Sequence, residues 1–378
     1  MKFLLAPDSF KESLSAKDAA DAMEKGLKKI FPYGEYIKVP MADGGEGTTQ
    51  SLVDATKGEM YYPEVLNPLG KKVKAKLGIL GNGDIAVIEM ASASGLELIN
   101  KKDRNPLKTT TYGTGQLIKA ALDKKVSTII IGIGGSATND GGAGMVQALG
   151  GKLLDKNGEQ IVFGGGALKD LEKIDLSELD SRIKNTKIEV ACDVNNPLTG
   201  ELGASHIFGP QKGASPDMVL QLDEYLGHYA EIIRKYLNKD IENIPGAGAA
   251  GGLGAGLMAF LDGKLSPGID IVIRYTNIEN QMDGVDYVIT GEGSIDSQTR
   301  FGKTPYGVAK VAKKFDIPVI AIAGSIGDDI DILYDYGFDV FFSIMQGVSD
   351  LDDALKNGSN NIERACENIG RLIKTSRN

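Results

Sequence analysis

Only two cysteines, Cys192 and Cys366, and two histidines, His206 and His228, occur among the 378 residues. Two thiols build neither a disulfide framework nor a cysteine zinc site, and a reducing cytoplasm is the expected compartment. Two histidines exclude a multi-histidine metal centre. Basic residues are also outnumbered, 42 Lys and Arg against 51 Asp and Glu, for a net charge of −9. That balance argues against a broad nucleic-acid or membrane-binding surface, so an anionic substrate would need local positive charge. No apolar run approaches the roughly 18 residues that a membrane span needs. The opening KFLLAPDSF reads as a strand and carries no signal-peptide pattern.

Glycine is abundant. The 49 glycines exceed the usual share of about 7% and cluster at 132–144, 164–166, 246–256 and 291–302. Glycine lets the backbone approach a ligand closely, so the clusters predict a site built largely from backbone amides. The chain is longer than one hydrophobic core usually grows, which predicts two domains.

Strand and helix patterns alternate, which predicts a mainly parallel α/β architecture. Residues 2–6 read as a buried strand, Ser15 as the cap of a helix over 16–30, and 36–40 as a second strand. Residues 60–66, 72–80 and 85–90 read instead as antiparallel strands with turns between them. A helix at 114–123, a buried strand at 127–133 and an amphipathic helix at 216–238 follow. The βα rhythm returns from 285. We therefore expect a Rossmann-like or flavodoxin-like domain built from both chain ends, residues 1–80 and 281–378. A second, dissimilar α/β domain, 81–280, would be inserted into it, with a cleft between the two.

Several loops fall where open α/β sheets bind ligands, beyond the carboxyl ends of strands. After the first strand, Asp8 could orient a hydroxyl or hold a metal, and Lys11 could neutralise a carboxylate or phosphate. Asp43 and Glu46, separated by glycines, could converge on a hard cation such as Mg2+ or could cap the next helix. The run from Gly132 to Gly142 resembles a dinucleotide fingerprint but lacks the acidic residue expected about 20 positions on. It reads better as an anion cradle made by Gly134, Gly135, Ser136, Thr138 and Asn139. The glycines at 246–254 could form a wall against a nucleotide or serve close helix packing.

Gly291, Glu292, Asp296, Arg300 and Lys303 gather on one loop after a strand at 285–290. Its Gly-Lys-Thr triplet resembles a P-loop, but Ser297 stands where that motif needs its first glycine. Carboxylates, cations and glycines on one loop are what phosphoryl transfer needs. Asp193, after another strand, is the first choice for a general base, with nearby asparagines as partners. Cys192 reads as packing, His206 as a structural histidine and His228 as solvated on the polar face of its helix.

Together the runs APDSFKESLSA, ADGGEGT, GIGGSATNDGGAGM, ACDVNNPLTG, FGPQKGA, PGAGAAGGLG and GEGSIDSQTRFGKTP resemble the glycerate kinase family typical of bacteria. This is the type that phosphorylates the 2-hydroxyl. Glu12 departs from the family pattern, which often has glycine there. The resemblance implies ATP-dependent conversion of D-glycerate to 2-phosphoglycerate with Mg2+, by a phosphotransferase acting on an alcohol group. Asp8, Asp43, Glu46, Asp193, Glu292 and Asp296 would then supply carboxylates, with Asp43, Glu46 and Asp296 as metal ligands. Lys11, Arg300 and Lys303 would neutralise the glycerate carboxylate and the transferred phosphoryl group. Another small hydroxy acid as acceptor, a hydroxy-acid dehydrogenase and a non-catalytic hydroxy-acid sensor are the competing readings. The expected partner is a small molecule, with a homodimer left open.

Overall fold

The computed structural model describes residues 1–377, which form two compact units. The first comprises Met1–Asp43, Gln50–Lys57 and the chain from Gly268 onward. Its sheet has five strands in the order Val340–Ser343, Val319–Ile326, Tyr287–Ile295, Lys2–Pro7, Glu35–Lys38, and every pair is parallel. The inner strands read as continuous apolar runs because both faces are covered. The helices Ala16–Lys28 and Gly358–Ser376 close part of that core, which includes Phe3, Leu5, Met23, Ile289, Ile322 and Ile369. Ser15 accepts a hydrogen bond from the Asp18 amide at 3.1 Å, so the expected cap is in place.

Numbered along the chain, these five strands run in the order 2-1-3-4-5, the flavodoxin-like arrangement. Its switch point lies between the first strand and the third, where Pro7 pairs with Gly291. A ligand crevice is expected there on topology alone.

The second unit comprises Gly44–Thr49 and Gly58–Pro267. Its main sheet runs Lys264–Ser266, Lys187–Ala191, Thr128–Gly132, Ile85–Glu89, Leu77–Ile79, Glu59–Tyr61. The first four strands are mutually parallel and the last two add on antiparallel. Pairing of Glu59–Tyr61 with Leu77–Ile79, and of the latter with Ile85–Glu89, carries residues from 58 onward into this unit, well before position 80.

The amphipathic helix spans Pro216–Leu237, with Ser215 accepting from the Met218 amide and Asn238 ending it at φ 53°. Its apolar stripe buries Leu222, Leu226, Tyr229 and Ile233. His228 is not simply solvated. Its Nε2 lies 2.7 Å from the Leu171 carbonyl oxygen, which ties the helix to a neighbouring turn. The 246–256 glycines serve packing: a Cβ at Gly251 would overlap the Thr138 carbonyl, and its own carbonyl accepts from the Gly141 amide at 3.0 Å.

Candidate active site

In the first unit the carboxyl edge of the sheet gathers acids. Asp8 follows the first strand directly, and its backbone amide donates to the Gly291 carbonyl at 2.8 Å. Its Oδ1 accepts from the Ser9 amide at 2.6 Å and its Oδ2 from the Thr304 hydroxyl. Burial pushes the Asp8 carboxyl up to about 6, against the pull of Thr304, and the charge of Asp43 adds to the rise. Glu292, one residue beyond Gly291, is pushed up to about 7, again mainly by burial. The Lys303 ammonium, 3.6 Å from its Oε1, opposes that rise, while Asp8 and Asp43 reinforce it. The same Oε1 is buried without a hydrogen-bond partner.

Two carboxyls, Asp8 and Glu292, whose proton affinity is raised by burial and by a third acid, Asp43, at a switch point are a functional arrangement more than a stabilising one. Asp296 has a structural task as well: its carboxylate accepts from the Gln298 amide at 2.8 Å, and with Thr299 it forms a capping box. It lies 3.9 Å from Lys303, whose Nζ also donates to the Ser294 carbonyl at 3.3 Å. Arg300 spreads its guanidinium over the Phe301 ring, 4.8 Å from the centroid, and its Nε is buried without a partner. Lys11 is exposed on the turn after Asp8. Gly291 needs to be glycine for packing, because a Cβ there would overlap the Ile322 carbonyl.

In the second unit Glu89, Gly132, Ala191 and Ser266 stand level across four parallel strands. Beyond Gly132, the backbone at Gly134 and Gly135 is exposed, with Gly135 at φ 75°. The hydroxyls expected to cradle an anion turn inward instead. Ser136 Oγ lies 3.1 Å from Thr138 Oγ1 and donates to the Ala250 carbonyl at 3.3 Å, and both residues are buried. Asn139 donates to Ser205 Oγ at 3.0 Å, which leaves its Oδ1 buried without a partner. Asp193, two residues past Ala191, is exposed. The neighbouring Cys192 thiol is pushed up by burial, as a packing residue would be.

Asp43 belongs to the first unit and Glu46, exposed, to the second. Among the described residues no group of three or more His, Cys, Asp or Glu side chains could hold a metal ion. Mg2+ does not require such a cage, because one or two carboxylates with waters and substrate phosphates ordinarily hold it. The mutual repulsion around Asp8, Asp43 and Glu292 is the kind that a cation relieves, so this donor set fits Mg2+.

Sequence reasoning passed over two buried charges behind the glycine loop. Asp140 is fully buried and accepts from the Thr111 amide and hydroxyl at 2.8 and 2.9 Å and from the Gly142 and Gly144 amides. Lys212, 1% exposed, donates to the Thr138 carbonyl at 2.7 Å. Burial pulls its ammonium down to about 7, with Asp140 acting in the opposite sense. Their presence in the quoted GIGGSATNDGGAGM and FGPQKGA runs was the only signal available.

A family model described as the glycerate kinase family matches residues 3–374. The chain is 56% identical over 366 residues to a glycerate kinase of Halalkalibacterium halodurans, covering 97% of this chain and 96% of that one. It is likewise 56% identical over 373 residues to the glycerate 2-kinase of Escherichia coli K12, covering 99% and 98%. A crystal structure from Salmonella typhimurium LT2, assigned to glycerate kinase 2, matches with a TM-score of 0.92 and 50% identity. That match covers 100% of this chain and 99% of the other.

Proposed function

The chain belongs to the glycerate kinase family, and on that premise we propose that it transfers the γ-phosphoryl group of ATP to the 2-hydroxyl of D-glycerate. The observation that carries the reading is the set of half-buried acids at the carboxyl edge of the first unit's sheet, with Asp8 and Glu292 beside its switch point. Phosphoryl transfer asks for positioning and charge stabilisation more than for covalent chemistry. A carboxylate with a pKa near 6 is suited to accept the acceptor's hydroxyl proton at neutral pH. Asp8 meets that requirement, and Ser9 and Thr304 fix both of its oxygens.

Asp8 therefore orients the glycerate hydroxyl and takes its proton. Asp43 and Glu292 would hold Mg2+, which would supply positive charge against the charge developing on the transferred group. Lys303, beside Glu292, and Arg300, whose Nε lacks a partner, supply positive charge for the glycerate carboxylate and the phosphoryl oxygens. Lys11 adds to it from the turn after Asp8. The exposed amides at Gly134 and Gly135 receive an anionic group in the second unit.

Measuring kcat for Asp8→Asn and Glu292→Gln with Mg-ATP and D-glycerate tests these roles. Loss of 100-fold or more with an unchanged circular dichroism spectrum is expected, in line with the usual worth of a positioned acid or base. Retention of full activity by both variants would reject this site.

A further inference from the structure

We propose that the nucleotide lies in the second unit, in the cavity of about 530 Å³ lined by the Gly134–Gly135 loop, the 91–98 segment and Lys74 and Lys76. This rests on the reading of the chain as an ATP-dependent kinase and adds which substrate the cavity takes. A cavity of this volume falls within the range of ligand pockets, about 300–1,000 Å³. It is far larger than a small hydroxy acid fills. Its walls are also mixed: Ala91, Leu96 and Leu98 give one side an apolar surface. Glycerate has almost nothing to bury there, whereas a purine ring does.

The opposite requirement, positive charge, is met on the same cavity. Lys74, at the end of the strand Lys72–Lys74, and Lys76, just beyond it, both line the cavity. Both are exposed, and among the described residues neither makes a salt bridge, while neighbouring Lys72 pairs with Glu64 at 2.7 Å. They are placed to meet the phosphates. Gly134 faces open space and a Cβ there meets nothing, so close backbone approach by a ligand is unobstructed. Glu46 and Glu97 also line the cavity and are exposed, which supplies acceptors for ribose hydroxyls.

The walls are held in place before any ligand arrives. The Leu96 amide donates to the Gly135 carbonyl at 2.9 Å, and the Ala137 amide donates to the Ser94 carbonyl at 2.9 Å. Glu89 fixes the 44–49 loop by accepting from the Thr49 amide at 2.8 Å and the Gly47 amide at 3.3 Å. Such preorganisation reduces the ordering cost of binding.

Calorimetric titration with ADP and, separately, with D-glycerate tests the assignment on the full chain. Two variants are needed: Lys74→Ala with Lys76→Ala, which removes the charge, and Gly134→Leu, which fills the cavity from a position that tolerates a side chain. Both should weaken ADP binding at least tenfold and leave D-glycerate binding within twofold of the unaltered protein. Unchanged ADP affinity in both variants would overturn the proposal. So would loss of D-glycerate binding with ADP retained, which would make the cavity the acceptor site while leaving the kinase reading intact. Failure of the unaltered protein to bind ADP at all would overturn this proposal and the kinase reading together.

Discussion

The Thr304 hydroxyl donates to Oδ2 of Asp8, joining residues 296 positions apart at the carboxyl edge of the first sheet. That bond lowers the proton affinity of a carboxyl which burial raises. Thr304→Val should therefore shift the acidic limb of the pH profile of kcat/KM to higher pH and lower kcat roughly tenfold, the scale of one hydrogen bond to a charged group. Thr304→Ser, which keeps the hydroxyl, should restore the profile. An unmoved limb in the valine variant would remove Asp8 from the ionisation that limits the rate.

The same acids predict how stability depends on pH. Asp8 rises from 3.8 to about 6 and Glu292 from 4.5 to about 7. Between about pH 4 and 7 the folded chain keeps protons that the unfolded chain has released. Linkage then makes their contribution to stability fall as pH rises through that window and level off above it. Without ligand, Asp8→Asn with Glu292→Gln should show a flatter dependence of Tm on pH between 4 and 7. The double variant should also be more stable than the parent at pH 8.

Lys212 gives a second pH signature of opposite sign. Its ammonium falls from 10.5 to about 7, so between those values the unfolded chain binds the extra proton. Its contribution to stability consequently rises with pH from about 7 toward 10.5. Lys212→Met should abolish that rise in a denaturation series. It should also loosen the Thr138 loop, read as faster hydrogen exchange around Gly135–Asn139.

Glu12 sits at φ 63°, in a turn where the Phe10 amide donates to the Leu14 carbonyl at 2.9 Å. A side chain in the left-handed region costs about 1–2 kcal/mol, part of which glycine gives back as unfolded-chain entropy. Glu12→Gly should thus leave activity unchanged and raise stability by up to about 1 kcal/mol, read from urea denaturation.

Much of this is legible in the sequence alone. The strand-end loops carrying Asp8, Asp43 and Glu292 stood out because acids follow apolar strand runs, and topology then places Asp8 and Glu292 at the switch point of one sheet. Local patterning could not reveal which polar side chains turn inward. Ser136, Thr138 and Asn139 look like ligand groups in the sequence, yet their partners include Ala250 and Ser205, far along the chain. Lys212 has no local partner that would mark it as buried, and its hydrogen bond goes to a carbonyl 74 positions away. Likewise Asp43 and Glu46 look like one motif three residues apart, although the border between the two units falls between them.

The central claim is tested most directly by ADP release from the purified protein with Mg-ATP, with and without D-glycerate, with the product read by ³¹P NMR. ADP release that depends on glycerate, together with a 2-phosphoglycerate resonance, is the predicted result. Release that D-glycerate does not stimulate, or a 3-phosphoglycerate product, would contradict it.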